Sequence, residues 1–177
     1  MTYTQHYDSP LGGILLAADE EGLTGLWFDG QKYFARTLPK EYAESETPVL
    51  CEAKRWLDIY FSGREPDFTP SLHPVGLAFQ QAVWALLLEI PYGETTTYGT
   101  LARKLAEKQG LTHMSAQAVG GAVGHNDISL IIPCHRVVGA SGSLTGYAGG
   151  VDKKIKLLEL ERADMKSFFV PKKGTAL

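Results

Sequence analysis

A chain of 177 residues, 44% hydrophobic and 21% charged, has the composition of a globular protein with a core to bury, which excludes a disordered or fibrous chain. No run approaches the ~18 apolar residues of a membrane span, and Met1-Thr2-Tyr3-Thr4-Gln5-His6 lacks a basic-then-apolar signal pattern, so a cytoplasmic protein is expected. The net charge of −3 hides an asymmetry: residues 1–75 hold 6 Lys+Arg against 12 Asp+Glu (−6), and residues 76–177 hold 11 against 8 (+3), so a polyanion should meet the second part.

In chain order, Tyr3–Tyr7, Gly13–Ala18 and Leu23–Phe28 are β-rich runs separated by Asp-Ser-Pro-Leu-Gly and Asp-Glu-Glu-Gly turns, which predicts an antiparallel meander. From Pro48 to Phe61 the residues Val49, Leu50, Ala53, Trp56, Leu57, Tyr60 and Phe61 recur at helical spacing, with Gly63 as a stop, and this helix should cover the sheet. Residues 62–75, interrupted by Pro66, Pro70 and Pro74, read as a linker. Helical patterns follow over about Leu77–Glu89, Tyr98–Gln109, Ser115–Gly124 and Lys153–Arg162, with a strand-like apolar run at Ile128–Ile132. The tail 171–177 is expected to be loose.

Only two cysteines are present, Cys51 and Cys134, with no C-x-x-C spacing, so neither a disulfide framework nor a zinc site is expected; no metal or cofactor is assigned. Cys51 sits among apolar helical neighbours and reads as a packing residue. Cys134, in Ile131-Ile132-Pro133-Cys134-His135-Arg136-Val137, has two cationic neighbours, and a thiol becomes a nucleophile when such a neighbour favours its thiolate over the free pKa of about 8.5. Adjacent residues do not face each other in regular structure, so this help requires Pro133 to mark a turn or a water to bridge.

Phe79-Gln80 with Val83-Trp84, Ile90-Pro91-Tyr92-Gly93-Glu94-Thr95, Thr97-Tyr98-Gly99, Ala118-Val119-Gly120-Gly121-Ala122, Asn126, Ile132-Pro133-Cys134-His135-Arg136-Val137 and Gly146-Tyr147-Ala148-Gly149-Gly150 occur in that order. Together they resemble the O6-alkylguanine-DNA alkyltransferases over about residues 76–162, while the first part matches only in size and coarse strand–helix order. The resemblance implies an α+β protein in two domains. Residues 1–75 would form a small antiparallel sheet with a helix, RNase H-like. Residues 76–177 would form a mainly helical, winged-helix-like domain containing a helix-turn-helix.

The implied activity is DNA repair by direct reversal, in which Cys134 takes an alkyl group from O6-alkylguanine, and from O4-alkylthymine, irreversibly and once per molecule. His135 would connect Cys134, through a water, to the carboxylate of Glu161, 27 residues on. Tyr98 would be the phenolic proton donor, and Asn126 would brace the turn before the acceptor. Tyr147 with the Ala148 N–H would close over the flipped base, and the Val137 carbonyl would accept from the base's amine. Thr97, Ala116, Gln117, Ala118, Gly120 and Arg136 complete the residues expected at DNA.

The second helix of the helix-turn-helix, Ala116-Gln117-Ala118-Val119-Gly120-Gly121-Ala122, has almost nothing to read major-groove base edges, which disfavours sequence-specific regulation and agrees with the family's minor-groove docking on double-stranded DNA by a monomer. Two departures stand out. Gln117 replaces the family's intercalating arginine, and Asp127 stands where Pro often follows the Asn; both should weaken DNA affinity, the second by loosening the turn and adding negative charge. Two other readings of the same residues are a lesion-binding protein without transfer activity, which the presence of Cys134 opposes, and a Cys-His-Glu hydrolase.

Overall fold

The protein is described from a computed structural model over residues 1–171; the tail beyond Pro171 lies outside the described residues. It is an α+β chain that divides into two compact units, the first comprising Met1–Val75 with Asp127–Ile131 and the second Gly76–Asn126 with the chain from Ile132 onward.

In the first unit, β1 (Thr2–Ser9), β2 (Gly12–Ala18) and β3 (Leu23–Phe28) form the expected antiparallel meander, and a fourth strand, β4 (Tyr42–Glu44), adds in parallel to β1, giving the order β3-β2-β1-β4. Three residues with Glu at one end carry no alternation strong enough to betray β4. Helix α1 (Pro48–Phe61) starts on the Thr47 hydroxyl, which accepts from the Leu50 N–H, and lays Leu50, Ala53, Trp56, Leu57 and Tyr60 on the sheet. Gly63, at φ 87°, ends it.

The expected linker is partly structural. The Leu23 N–H donates to the Ser71 carbonyl and the His73 N–H to the Leu23 carbonyl, both at 2.8 Å, so Ser71–His73 runs along β3. Asp127–Ile131 joins the same unit: the Leu26 N–H donates to the Asp127 carbonyl (2.8 Å) and the Ser129 N–H to the Leu26 carbonyl (3.1 Å). The Asp127 carboxylate is buried there, accepting from Trp27 Nε1 at 3.1 Å and pairing with Arg36 at 2.5 Å. Asp127 therefore tightens this segment instead of loosening it, and its charge is neutralised.

The second unit consists of α2 (Ala78–Leu87), the two-residue β5 (Thr96–Thr97), α3 (Tyr98–Lys108), α4 (Ala116–Gly124), a single 3₁₀ turn at Cys134–Arg136, β6 (Val137–Val138), a second 3₁₀ turn at Ala140–Gly142 and α5 (Val151–Leu160). Helices α2, α3 and α4 pack mutually, and Trp84 Nε1 donates to the Ala122 carbonyl at 2.9 Å. The Ser115 hydroxyl caps α4 by accepting from the Ala118 N–H. The run Ile128–Ile132 is not a strand. Leu130 adopts φ 70°, and the Ile131 N–H turns back to the Ser129 carbonyl at 2.8 Å. Every side chain in it is buried, and a run buried on all sides looks the same in sequence whether it extends or turns.

Candidate active site

Cys134 opens the 3₁₀ turn directly after Pro133, whose own N–H is absent; the Cys134 N–H bends back to the Ile132 carbonyl at 2.8 Å and the Arg136 N–H to the Pro133 carbonyl at 3.0 Å. This tight turn lets consecutive residues serve one site. Asn126 closes the chain excursion that precedes it, donating from Nδ2 to the Ile132 carbonyl at 2.8 Å, and its side chain also hydrogen-bonds Cys134. A parallel two-residue ladder, Thr96 with Val137 and Thr97 with Val138, sets the start of α3 beside the turn, so Tyr98 is buried there and electrostatically coupled to Cys134. The Tyr98 hydroxyl has no hydrogen-bond partner among the described residues.

Glu161, the C-terminal cap residue of α5, reaches the same turn. Its Oε2 accepts from His135 Nε2 at 2.6 Å, and Arg136 clamps both oxygens, Nε to Oε1 at 2.8 Å and Nη2 to Oε2 at 3.1 Å. The Gly93 N–H adds a third donor at 3.2 Å, and Arg136 Nη1 anchors the guanidinium on the Ile90 carbonyl at 2.7 Å. Burial alone would raise the Glu161 carboxyl, but the bonds and charges of His135 and Arg136 outweigh it and hold the carboxyl well below the usual range. With Glu161 ionised, Nε2 of His135 must carry the proton it shares, leaving Nδ1 as the nitrogen that can exchange one.

Burial pushes the His135 ring below its ordinary value, against the pull of Glu161, so the ring rests neutral. Burial likewise pushes the Cys134 thiol up, outweighing the Asn126 hydrogen bond and the charge of Lys154. The resting site is thus a thiol beside a neutral imidazole, not the preformed thiolate that two cationic neighbours suggest in sequence. Tyr147 is buried and meets the His135 ring edge-on, centroids 6.5 Å apart.

Comparison with known proteins gives the family of the chain. Residues 78–163 match the 6-O-methylguanine DNA methyltransferase DNA-binding domain, and residues 2–74 match the ribonuclease-like domain of the same enzymes. The chain is 46% identical to the methylated-DNA–protein-cysteine methyltransferase of Methanosarcina acetivorans, over 90% of this chain and 97% of that one. It is 42% identical to the Haemophilus influenzae protein of the same name, over 90% and 86%. The chain belongs to the methylated-DNA–protein-cysteine methyltransferase family. Among solved structures, a Mycobacterium tuberculosis O6-methylguanine methyltransferase superposes with a TM-score of 0.76 at 42% identity, covering 92% of this chain and 93% of that one. The DNA complex of the M. tuberculosis protein gives 0.78 at 41%, covering 90% and 92%.

Within this methyltransferase chain the residues expected at DNA divide. Ala116, Gln117 and Ala118 are exposed on α4, but Gly120 is buried; the exposed glycine is Gly121, where an added Cβ would meet nothing within 4 Å. A helix turns 100° per residue, so two adjacent glycines cannot share a face. Thr97 caps α3, its hydroxyl accepting from the Thr100 N–H at 3.1 Å. Arg136 is corrected from a DNA contact to an internal clamp, because its guanidinium is spent on Glu161 and Ile90. Ala148 is half-buried in the loop after Tyr147.

The Val137 carbonyl already accepts from Lys154 Nζ at 2.6 Å. Sequence reasoning missed Lys154 altogether. It lies in α5 on the stripe of Val151, Leu157 and Leu158, and a lysine at an apolar stripe position was the available signal.

Proposed function

We propose that this protein repairs DNA by carrying the alkyl group of O6-alkylguanine away on Cys134, once per molecule. The observation that supports it most is the buried chain His135–Glu161–Arg136, whose histidine follows Cys134 in the same 3₁₀ turn, in a chain of this family. The thiol proton passes to His135, whose Nε2 is held by Glu161; Arg136 keeps Glu161 from taking that proton, so the carboxylate stabilises the imidazolium. The Cys134 sulfur then attacks the alkyl carbon, a carbon–sulfur bond forms, and the carbon–oxygen bond breaks with its electron pair passing to the base.

Tyr98, its phenol pushed up by burial and then by the Cys134 charge, remains protonated near neutrality and can supply the base's proton. The imidazolium restores the phenol, so overall the thiol proton ends on guanine. No group in the site would cleave a thioether, which makes the transfer irreversible. Tyr147 and Ala148 would close over the base. The exposed, small-residue face Ala116-Gln117-Ala118 with Gly121 supports minor-groove docking by a monomer, since it permits close approach and offers little base readout. The reading has the protein act in the cytoplasm; among the described residues no helix is long and apolar enough to cross a membrane.

Incubation with O6-methylguanine duplex tests this. A mass gain of one methyl group on the peptide holding Cys134, absent in Cys134→Ser, is the expected result. Tight binding without mass gain would instead establish a lesion-binding protein, and steady ester turnover a hydrolase.

A further inference from the structure

Glu161, the residue that holds His135, also caps α5, and from there the chain turns back. Arg162 adopts φ 59°, its N–H donating to the Glu159 carbonyl at 2.9 Å, and the Ala163 N–H donates to the Leu158 carbonyl at 3.0 Å. The Asp164 carboxylate then accepts from the Lys166 N–H at 3.1 Å, and the Phe168 N–H donates to the Met165 carbonyl at 3.2 Å. Met165 and Phe168 pack on the buried cluster of Val138, Leu144 and Leu158. That burial offsets the entropy of ordering so short a segment.

The segment ends against the loop that carries Tyr147. Phe169 bridges Ser143 in parallel: its N–H donates to the Gly142 carbonyl at 3.1 Å, and its carbonyl accepts from the Leu144 N–H at 2.8 Å. The approach is close. Gly142 has φ 89°, and a Cβ there would collide with the Ser167 carbonyl oxygen and meet the Phe168 ring at 3.2 Å. The Phe169 side chain is 49% exposed, so backbone bonds and the burial of Phe168 and Met165 carry the pairing.

Beyond Leu144 the loop runs through Gly146, Gly149 and Gly150 to α5 at Val151. Glycines impose little conformation of their own, so the place of Tyr147 and Ala148 is set from the ends of the loop. One end is α5. The other is held by the Phe169 bridge and by Lys154 on the Thr145 carbonyl.

We propose that residues 165–169 form a positioning strap for the methyl transfer: by pairing with residues 142–144 they set where Tyr147 and Ala148 stand over the base. The proposal rests on the reading that these two residues close over O6-alkylguanine. Most of the strap follows the stretch matched to the DNA-binding domain, which ends at residue 163. A loosened loop lets the base leave its reacting geometry, and a misplacement of about 1 Å costs up to about a hundredfold in rate.

Two substitutions at one position in the full chain test this. Phe169→Pro removes the N–H that meets Gly142, and Phe169→Leu keeps it. Single-turnover methyl transfer from O6-methylguanine duplex is followed against DNA concentration. Phe169→Pro should slow the saturating rate about tenfold, with Phe169→Leu within about twofold of the parent. In a Cys51→Ser background, which leaves Cys134 as the one thiol, the rate with a neutral aromatic disulfide should be the same in all three proteins. Parent-like saturating transfer in Phe169→Pro overturns the proposal, and so does an equal slowing toward the disulfide, which would mean that the acceptor turn itself is damaged.

A second measurement uses no alkylated DNA. Amide hydrogen exchange over residues 144–150 should quicken about tenfold in Phe169→Pro, and also in Phe168→Ala, which removes an apolar anchor and spares every backbone bond, with α2, α3 and α4 unchanged. Unaltered loop exchange in the folded variants overturns the strap. A parent that takes no methyl group defeats the proposed function instead, and loop exchange still decides the strap.

Discussion

Asp127 and Glu161 are both buried carboxylates paired with an arginine, and they differ in the rest of their surroundings. Asp127 has Arg36, whose side chain is 34% exposed, and the Trp27 indole N–H. Glu161 has a buried Arg136, the Gly93 N–H and His135, which does titrate. The first cluster can only fasten a segment. The second does the same and also holds a proton-exchanging ring in the same turn as a thiol. A buried charge pair becomes chemistry when one permanent partner is joined by one that changes charge.

The largest expected separation between the clusters comes from removing each negative charge. Glu161→Gln leaves Arg136 buried without its counter-charge and should cost about 3–5 kcal/mol, with transfer slowed well beyond tenfold in the molecules that remain folded. Asp127→Asn keeps an acceptor for Trp27, and Arg36 can turn toward water, so urea melts should show a loss of only about 1–2 kcal/mol with methyl transfer per folded molecule unchanged. Slow transfer in Asp127→Asn would end the distinction.

Acid should act on the second cluster next. His135 has a folded value below its ordinary one, so the unfolded chain takes up its proton first, and stability falls as pH drops through about 6.5. Glu161 is also depressed, so its contribution is present above the ordinary carboxylate range and is lost as pH falls through about 4.3 and below. Both signs agree. The urea midpoint should decline from pH 7 to 5, and His135→Gln should flatten the upper part of that decline; an equal slope in the variant would refute the assignment.

A region with neither burial nor charge sharpens the comparison from the other side. Gly121→Ala on the exposed face of α4 should stabilise the helix by about 0.5–1 kcal/mol while weakening duplex binding, which melting and titration measure separately. Smallest of all, Gln117→Arg should tighten binding to lesion duplex severalfold, with a steeper salt dependence, and leave the thiol's pH profile unmoved.

Much of the site was legible in the sequence because its chemistry is local. Pro133-Cys134-His135 places the candidate nucleophile and its neighbouring ring in one turn, and the apolar spacing from Pro48 and from Ser115 marks α1 and α4. Less legible was the direction of each charge. Arg136 looks like a DNA contact in sequence, but its partners are Ile90 and Glu161, 46 and 25 residues away. Lys154 hides among solvated lysines of α5, although its helical phase is that of Val151 and Leu157.

By itself the sequence determined the meander and the five helices to within a few residues at each end, since periodicity, capping and turn chemistry act over a few residues. Tertiary structure alone decided that Ile128–Ile132 turns instead of extending, that Asp127 is neutralised, that Gly121 and not Gly120 faces out, and that Arg136 and Lys154 point inward. The physical reason is common to all four. The energy of a buried backbone group or charge depends on partners distant in the chain, and no local pattern records which partner it finds.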